Sequence, residues 1–295
     1  MIPGRLASTY SIVARCSATG RIGIGVQSHY FAVGASVPWL ASQVGAVVTQ
    51  SFIDRAQGPA ALAHLRAGKQ PEAVIGALLA EDPARELRQI AVVDVHGNTA
   101  VHTGSGCISR CGHRSGEGYT VQGNMLASDA ALDGMSLAFE QSRAPLPWRL
   151  LEALRAAEVK GGDLRGMMSA AIRIDSGAPD AETGPIDIRV DDHEQPLVEL
   201  RRLLVLADAA EHVARALRLG PSETALLELD EALRLAPAAD EYRFWKAVVL
   251  IHLGQSRRAH AILSEEVSEP LRWSRLLAAL ETAGLVKGDL SISVE

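Results

Sequence analysis

Two hydroxyl residues, Thr9 and Ser11, begin a run of small and branched residues, TYSIVARCSATGRIGIGVQS, over residues 9–28. A side-chain hydroxyl is a weak nucleophile until a nearby base removes its proton. Small neighbours leave room for a substrate, so one of these two hydroxyls is a candidate nucleophile. The alternative is that Thr9 is an ordinary residue of an edge strand, because threonine is common in strands.

Ser28 and His29 end the same stretch. An imidazole changes its charge near neutral pH, which suits His29 to tune a nucleophile or to relay a proton. The alternative is a solvated histidine at a strand end. We place His29 with Thr9 in the candidate catalytic set and Ser28 in the candidate substrate-binding set.

A second group of candidates carries side-chain amides. Gln122 and Asn124 flank Gly123 in the segment VQGNML, and Gln50 ends the segment VGAVVTQ. A side-chain amide at a strand end is suited to donate a hydrogen bond to a developing oxyanion, and Gly123 permits a close backbone approach. Asn124 is the predicted oxyanion donor, and Gln50 and Gln122 are predicted to bind substrate. The alternative for Asn124 is capping of the helix that follows.

The segment GGDLRG at residues 161–166 contains Asp163 and Arg165. Arg165 is suited to hold a carboxylate-bearing ligand through its planar guanidinium, and both residues join the candidate substrate-binding set. The alternative is an ion-paired turn before a strand. No Lys-Ser/Thr pair follows the glycines, so the segment does not match a phosphate-binding loop, and we expect no cofactor.

Residue types that are able to bind a metal ion occur close together in two places. One is a group of histidine and cysteine at positions 102, 107, 111 and 113, and the other is the run Asp191-Asp192-His193. Zinc binds such side chains, but the first spacing matches none of the usual zinc motifs. The second run is typical of a strand end followed by a helix cap. We therefore predict no metal site.

The composition excludes several classes of function. The 295 residues carry a net charge of −6 and contain only 4% aromatic residues, which argues against binding of nucleic acid. The sequence shows no apolar run that would cross a bilayer and no secretory signal, and its three cysteines are an odd number. We expect a cytoplasmic protein that acts on a small molecule and binds neither membrane nor nucleic acid.

Up to about residue 192 the pattern predicts a mixture of strands and helices, and therefore an α+β domain. The predicted strands cover a hairpin over residues 9–28, then 45–50, a hairpin of 90–95 and 99–103, 119–123, 169–174 and 186–190. The predicted helices cover residues 58–67, 70–80, a segment from about 128, and 148–160, and a glycine-rich loop covers 104–118.

From Pro196 onward helix-forming residues dominate, and a period of 34 residues is present. The repeated positions are Leu219-Gly220 with Leu253-Gly254, Ala225 with Ala259, and Leu229 with Leu263. This spacing resembles a tetratricopeptide repeat. We predict a boundary after residue 202, with a small all-α domain over 203–295 that docks on the first domain, recruits a protein partner or supports a homo-oligomer.

The first 200 residues resemble one family. The segments that carry the resemblance are residues 9–28, VGAVVTQ, GHRSGEGYTVQGNML, GGDLRG followed by SAAI, and IDIRVDDHEQPLVELRRLL. They are similar to domain of unknown function 1028, whose members resemble the N-terminal-nucleophile (Ntn) hydrolases in fold. The resemblance implies a four-layer αββα sandwich. It also implies that Thr9 attacks a carbonyl while its own α-amine, with a pKa near ~8, serves as base.

Eight residues precede Thr9, so loss of Met1 alone does not free its α-amine. Either these residues are removed, or the protein starts further in, or Thr9 is not used in this way. The leading hypothesis is an Ntn-type hydrolase of a small amide, lactam or imide. Its rival is a non-catalytic Ntn-fold module that binds a ligand while the helical repeat recruits a partner. An internal site built on Ser28 and His29 is a third possibility.

Overall fold

A computed structural model of the chain describes residues 5–177 and 183–286. The chain forms two compact units, Met1–Leu204 and Val205–Glu295. The sequence places this boundary after residue 202. Each unit is described by itself.

The first unit contains two antiparallel sheets. Its strands are β1 (Arg5–Ala7), β2 (Thr9–Arg15), β3 (Ile22–Ser28), β4 (Pro38–Ala41), β5 (Gly45–Ile53), β6 (Arg88–Asp94), β7 (Thr99–Thr103), β8 (Gly112–Gly116), β9 (Tyr119–Gly123), β10 (Ser169–Ile174) and β11 (Ile186–Val190). One sheet has the order β1-β5-β6-β7, with β4 also paired to β5, and the other has the order β11-β10-β3-β2-β9-β8. Strand β1 is therefore an edge strand, paired with the last three residues of β5.

The two sheets pack face to face over a shared apolar core. Alternation along each strand sends every second side chain into this layer. Strands β2 and β3 of one sheet contribute Val13, Ile24 and Val26, and strands β5 and β6 of the other contribute Val48 and Val93, all of them fully buried. The layer between the sheets is the one that holds the candidate site.

Helices cover the outer faces of both sheets. They are α1 (Gln57–Arg66), α2 (Pro71–Ala80), α3 (Ala130–Gln141), α4 (Leu146–Val159) and the first part of α5 (Pro196–Leu219). Helices α1 and α2 pack their apolar faces on β5 and β6. Helices α3 and α4, with Leu197, Leu200 and Leu204 of α5, pack on the sheet that contains β2 and β3. The α+β class is confirmed.

The structure departs from the sequence prediction mainly at short elements. The predicted loop over residues 104–118 contains strand β8, which pairs with β9. Its side chains are mostly exposed, so it lacks the apolar alternation that would reveal it. Strands β1 and β4 were not predicted either, because three or four residues are too few to show a period.

The second unit is helical throughout the part that the structure describes, which ends at residue 286. It contains the end of α5, then α6 (Glu223–Leu235), α7 (Asp240–His252), α8 (Ser256–Ala261), a π-helical turn (Ile262–Glu266) and α9 (Pro270–Thr282). Ser222 caps α6 by accepting a hydrogen bond from the amide of Ala225. Of the described helices in either unit, none combines the length and the apolar character needed to span a membrane.

Members of the 34-residue pattern are buried in one cluster. Ala225, Leu229, Ala259 and Leu263 are almost completely inaccessible and pack together with residues of α7. Gly220 and Gly254 precede α6 and α8 and have φ of 66° and 73°, the left-handed conformation that glycine adopts most easily. The period therefore covers the glycine before each of two helices and the buried residues that follow it, which pack in one core.

Candidate functional site

Thr9 is the first residue of β2, and its side chain is fully buried. Its hydroxyl donates a hydrogen bond to the carbonyl of Ala7 at 2.9 Å. The Thr9 nitrogen is part of the peptide bond to Ser8, and Ala7 belongs to strand β1. With the Ser8–Thr9 peptide bond in place, the Thr9 hydroxyl is buried against Ala7 and has no free α-amine beside it.

The carbonyl of Ser8, directly before Thr9, receives two strong donors. The Ser28 hydroxyl donates to this oxygen, and Nη2 of Arg165 donates to it at 2.9 Å. Ser28 lies opposite Thr9 in the β2–β3 register, which places its hydroxyl next to the Ser8–Thr9 bond. A hydroxyl and a guanidinium on one carbonyl withdraw electron density from its carbon and are suited to stabilise negative charge on its oxygen.

Arg165 is oriented by Asp163. Nε and Nη2 of Arg165 bond to the two carboxylate oxygens of Asp163 at 3.1 and 2.8 Å. The Asp163 side chain is completely buried, whereas that of Arg165 is 30% exposed. The ion-paired turn considered above is therefore present, and the same guanidinium also contacts the Ser8 carbonyl. The role of the pair in binding a ligand stays a prediction.

Next to Thr9, buried amides form a chain of hydrogen bonds between the sheets. Nε2 of Gln122 donates to the Ser11 hydroxyl at 2.6 Å, and this hydroxyl donates to Oε1 of Gln50 at 2.6 Å. Nε2 of Gln50 donates to Oε1 of Gln89 at 2.7 Å and also to the Thr9 carbonyl at 3.3 Å. A buried polar group is costly unless it is bonded, and each of these side chains has at least one partner.

Gln89, which the sequence analysis missed, joins this network to Asn124. Oε1 of Gln89 also accepts from Nδ2 of Asn124 at 2.9 Å. The backbone of Asn124 accepts from the Ser8 hydroxyl and donates to the Thr9 carbonyl. A signal was present in RQIAVVD, where Gln89 is the polar exception on the inward face that continues with Ala91 and Val93.

Asn124 does not cap the following helix, which begins at Ala130 and is preceded by Asp129. Its side-chain amide is committed to Gln89, and its Oδ1 is buried without a hydrogen-bond partner among the described residues. The oxyanion role of Asn124 stays a prediction. In this structure the donors on the Ser8 carbonyl are Ser28 and Arg165.

His29 lies at the edge of the site. Its backbone N–H donates to Oδ2 of Asp163 at 3.2 Å, and its Nδ1 is 3.3 Å from the carbonyl of Met167. The hydrogen bond of the Thr9 hydroxyl goes to Ala7 and not to this imidazole. The catalytic role of His29 therefore stays a prediction.

Neither candidate metal run forms a cluster of ligands. Over residues 5–177 and 183–286 no group of three or more His, Cys, Asp or Glu side chains is arranged to hold a metal ion. His102 and His113 instead lie 3.0 Å from the Arg85 carbonyl and the Thr103 hydroxyl, respectively. Burial raises the pKa of the Cys107 and Cys111 thiols.

A cavity of ≈ 530 Å³ lies beside strand β1. It is lined by Leu6 of β1 and by Tyr30, Phe31, Ala32 and Ser36. Phe31 is 65% exposed, which is unusual for a large aromatic side chain. The cavity is therefore lined in part by the strand that precedes Thr9 and in part by an exposed aromatic side chain.

The chain is similar to a solved structure and to a family of known sequences. No curated protein matches the sequence. The crystal structure of a DUF1028 protein from Silicibacter pomeroyi is 32% identical and has a TM-score of 0.62, with 67% of this chain and 88% of that chain covered. Residues 9–200 match the family described as "Family of unknown function (DUF1028)". The protein belongs to the DUF1028 family.

Proposed function

We propose that this protein is an Ntn-type hydrolase of a C–N bond in an amide, lactam or imide, synthesised as a precursor that cuts its own Ser8–Thr9 bond. The observation that supports it is the pair of donors, Ser28 and Arg165, on the carbonyl of that bond. The Ser8 carbonyl accepts one bond from each donor, the Arg165 bond is charged, and the carbonyl belongs to the peptide bond whose nitrogen is that of Thr9.

The cleavage step uses groups that lie next to each other in the chain. The Thr9 hydroxyl oxygen attacks the Ser8 carbonyl carbon, and the C–N bond between the two residues breaks. The hydroxyl proton ends on the departing nitrogen, which becomes the Thr9 α-amine, and an ester links Ser8 to the Thr9 oxygen. Water then hydrolyses this ester and releases residues 1–8, here called the leader, as a carboxylate. Ser28 and Arg165 stabilise the oxyanion in both steps.

The same groups then act on substrate. The free α-amine of Thr9 takes the hydroxyl proton as the oxygen attacks a substrate carbonyl, and it returns the proton to the leaving nitrogen as the C–N bond breaks. Water then hydrolyses the ester that links the acyl half to Thr9, which releases a carboxylate and restores the hydroxyl. Release of the leader frees Ser28 and Arg165 for the substrate carbonyl. The buried network around Gln50 and Gln89 holds β2 and Asn124 in place, because its amides join strands of both sheets.

The fold proposal follows from the packing of the first unit. Two face-to-face sheets with helices on both outer faces are what the four-layer αββα sandwich of Ntn hydrolases requires, and we assign the unit to that architecture. The helices of the second unit, with their 34-residue period, are assigned to a tetratricopeptide-like repeat that recruits a protein partner or a second copy.

The test is the intact mass of the purified chain during incubation at neutral pH. We expect the mass to fall by residues 1–8, Thr9→Ala to stay intact, and Thr9→Ser to cleave. Ser28→Ala removes one oxyanion donor and should slow cleavage by about 10²–10³. Ser169→Ala is the matched control, because Ser169 lies opposite Ser28 in the sheet but donates to the Tyr30 carbonyl. It should cleave at close to the normal rate.

A second readout follows the nucleophile. An acylating probe such as a β-lactone should label Thr9 of the cleaved protein and leave the uncleaved Thr9→Ala chain unlabelled. A chain that stays intact and ignores the probe would overturn the proposal in favour of the binding module. An intact chain that still hydrolyses amides would point to the internal site at Ser28 and His29.

A further inference from the structure

We infer that the substrate of the processed protein is a linear amide whose acyl half is an extended peptide with small residues at the two positions before the cleaved bond and an apolar residue at the third. This inference rests on the proposed function. It selects one of the three substrate classes named there, because a lactam or an imide offers no extended acyl chain.

The leader shows where the acyl half of a substrate must lie. In self-cleavage and in turnover the same Thr9 oxygen attacks a carbonyl whose oxygen contacts the same two donors, Ser28 and Arg165. The residue that carries the attacked carbonyl must therefore occupy the place of Ser8, and the residues before it must follow the path of β1. The contacts of the leader then describe the acyl site position by position.

The two positions before the bond are closed. Ser8 is fully buried, and its hydroxyl donates to the Asn124 carbonyl at 3.0 Å. Ala7 is fully buried in the apolar core between the sheets, together with Val33 and Ile53. Protein interiors are close-packed, so a larger side chain at either position would displace its neighbours. These contacts favour serine or alanine next to the bond and alanine before it.

The third position before the bond, that of Leu6, has space for a larger side chain. Leu6 is only partly buried and lines the cavity of ≈ 530 Å³ with Tyr30 and Phe31. The apolar surface of these side chains suits a leucine or a larger apolar residue there.

The backbone of the leader runs as an extra strand at the edge of the sheet that contains β5. Residues 5–7 pair antiparallel with Ile53, Phe52 and Ser51 of β5, and β1 is the edge strand of its sheet. Release of the leader therefore exposes an unpaired strand edge, to which an extended peptide is able to add. This mode of binding favours linear peptides and gives no hydrogen-bonding edge to a ring.

The test uses the protein produced by its own cleavage and two fluorogenic peptides of equal composition. Acetyl-Arg-Leu-Ala-Ser-coumarinylamide follows the leader, whereas acetyl-Arg-Ser-Ala-Leu-coumarinylamide places the leucine next to the bond. We expect kcat/KM to be at least about tenfold higher for the first peptide. Phe31→Ala should reduce the advantage of leucine over alanine at the third position and leave the order preference intact.

The outcomes separate the two proposals. Absence of self-cleavage and of probe labelling would overturn the proposed function, and this inference with it. A processed, probe-reactive protein that cleaves neither peptide, or cleaves both at equal rates, would overturn the inference alone. Competition by the free peptide acetyl-Arg-Leu-Ala-Ser is a check that needs no turnover, since it should inhibit probe labelling better than acetyl-Arg-Ser-Ala-Leu does.

Discussion

The layer between the two sheets has two ends of opposite character, although the same strands build both. On β5 the inward side chains run from Ala46 and Val48 to Gln50, and on β6 they run from Val93 to Gln89. At the end that holds Gln50 and Gln89, a side-chain hydroxyl or amide also comes from each of strands β2, β3, β9 and β10. One end is an ordinary apolar core, and the other is a buried polar network.

The difference indicates what each end is for. An apolar core needs only burial, which is favourable wherever the volumes fit. A polar network gains little net stability from each hydrogen bond, yet a missing partner costs about 1–3 kcal/mol. A fold that needed only stability would continue the apolar layer to the end of the sheets. The polar end therefore fits a site that must hold Thr9 and Asn124 in fixed positions.

The largest effect is expected at Gln89. Gln89→Met keeps the size of the side chain but removes the acceptor of the Gln50 and Asn124 amides. The Asn124 amide then lacks its partner, and the Gln50 amide keeps only its bond to the Thr9 carbonyl. The carbonyls of Gly112 and Gly123 lose the bonds from Nε2 of Gln89. Together these losses should lower the free energy of unfolding by about 2–6 kcal/mol. Urea denaturation measures this loss. An unchanged midpoint at an unchanged m-value would contradict the account of the polar end.

The sequence alone predicted most of the scaffold. The hairpin of β2 and β3, the hairpin of β6 and β7, and strands β10 and β11 are confirmed, because alternation and turn residues are local signals. Short strands such as β1 were missed. Its place in a sheet depends on the edge of β5 and not on its own three residues.

The site was predictable only in part, for a physical reason. Gln50, Gln122 and Ser28 are recognisable in the sequence because polar residues at the ends of apolar strands stand out. Which of them meet across the two sheets is a matter of tertiary packing, and no local pattern contains that information. Gln89 was missed, and so was the contact of Arg165 with the Ser8 carbonyl, which joins residues far apart in the chain.

A buried ion pair lies on the other face of β6 from Gln89 and contrasts with the neutral network at the polar end. Nε of Arg88 bonds to Oδ2 of Asp82 at 2.6 Å, and Nε2 of Gln57 bonds to the same oxygen at 2.7 Å. The Arg88 hydrogen bond lowers the pKa of Asp82. Asp82→Asn leaves the Arg88 charge unpaired and should cost about 3 kcal/mol at neutral pH.

The cost should depend on pH. A carboxyl with a lowered pKa in the folded state contributes its full stability above its unfolded pKa of ~3.9, and this contribution is lost as pH falls through the folded value. The difference between wild type and Asp82→Asn should therefore shrink in acid. The effect of Gln89→Met should stay constant, because its amide partners do not titrate. Urea midpoints at pH 7 and pH 3 test both expectations. Equal pH dependence for the two variants would refute the contrast.

The smallest effect is expected at the apolar end, where Ile24→Val removes one methylene group from a fully buried side chain. The loss should be about 0.5–1.5 kcal/mol. Because Ile24 lies on the same face of β3 as Ser28 but four residues away, this variant should leave the rate of self-cleavage unchanged while Ser28→Ala slows it. If Ile24→Val slowed cleavage as much as Ser28→Ala does, the rate would depend on the packing of the whole layer, and the division into a structural and a chemical end would fail.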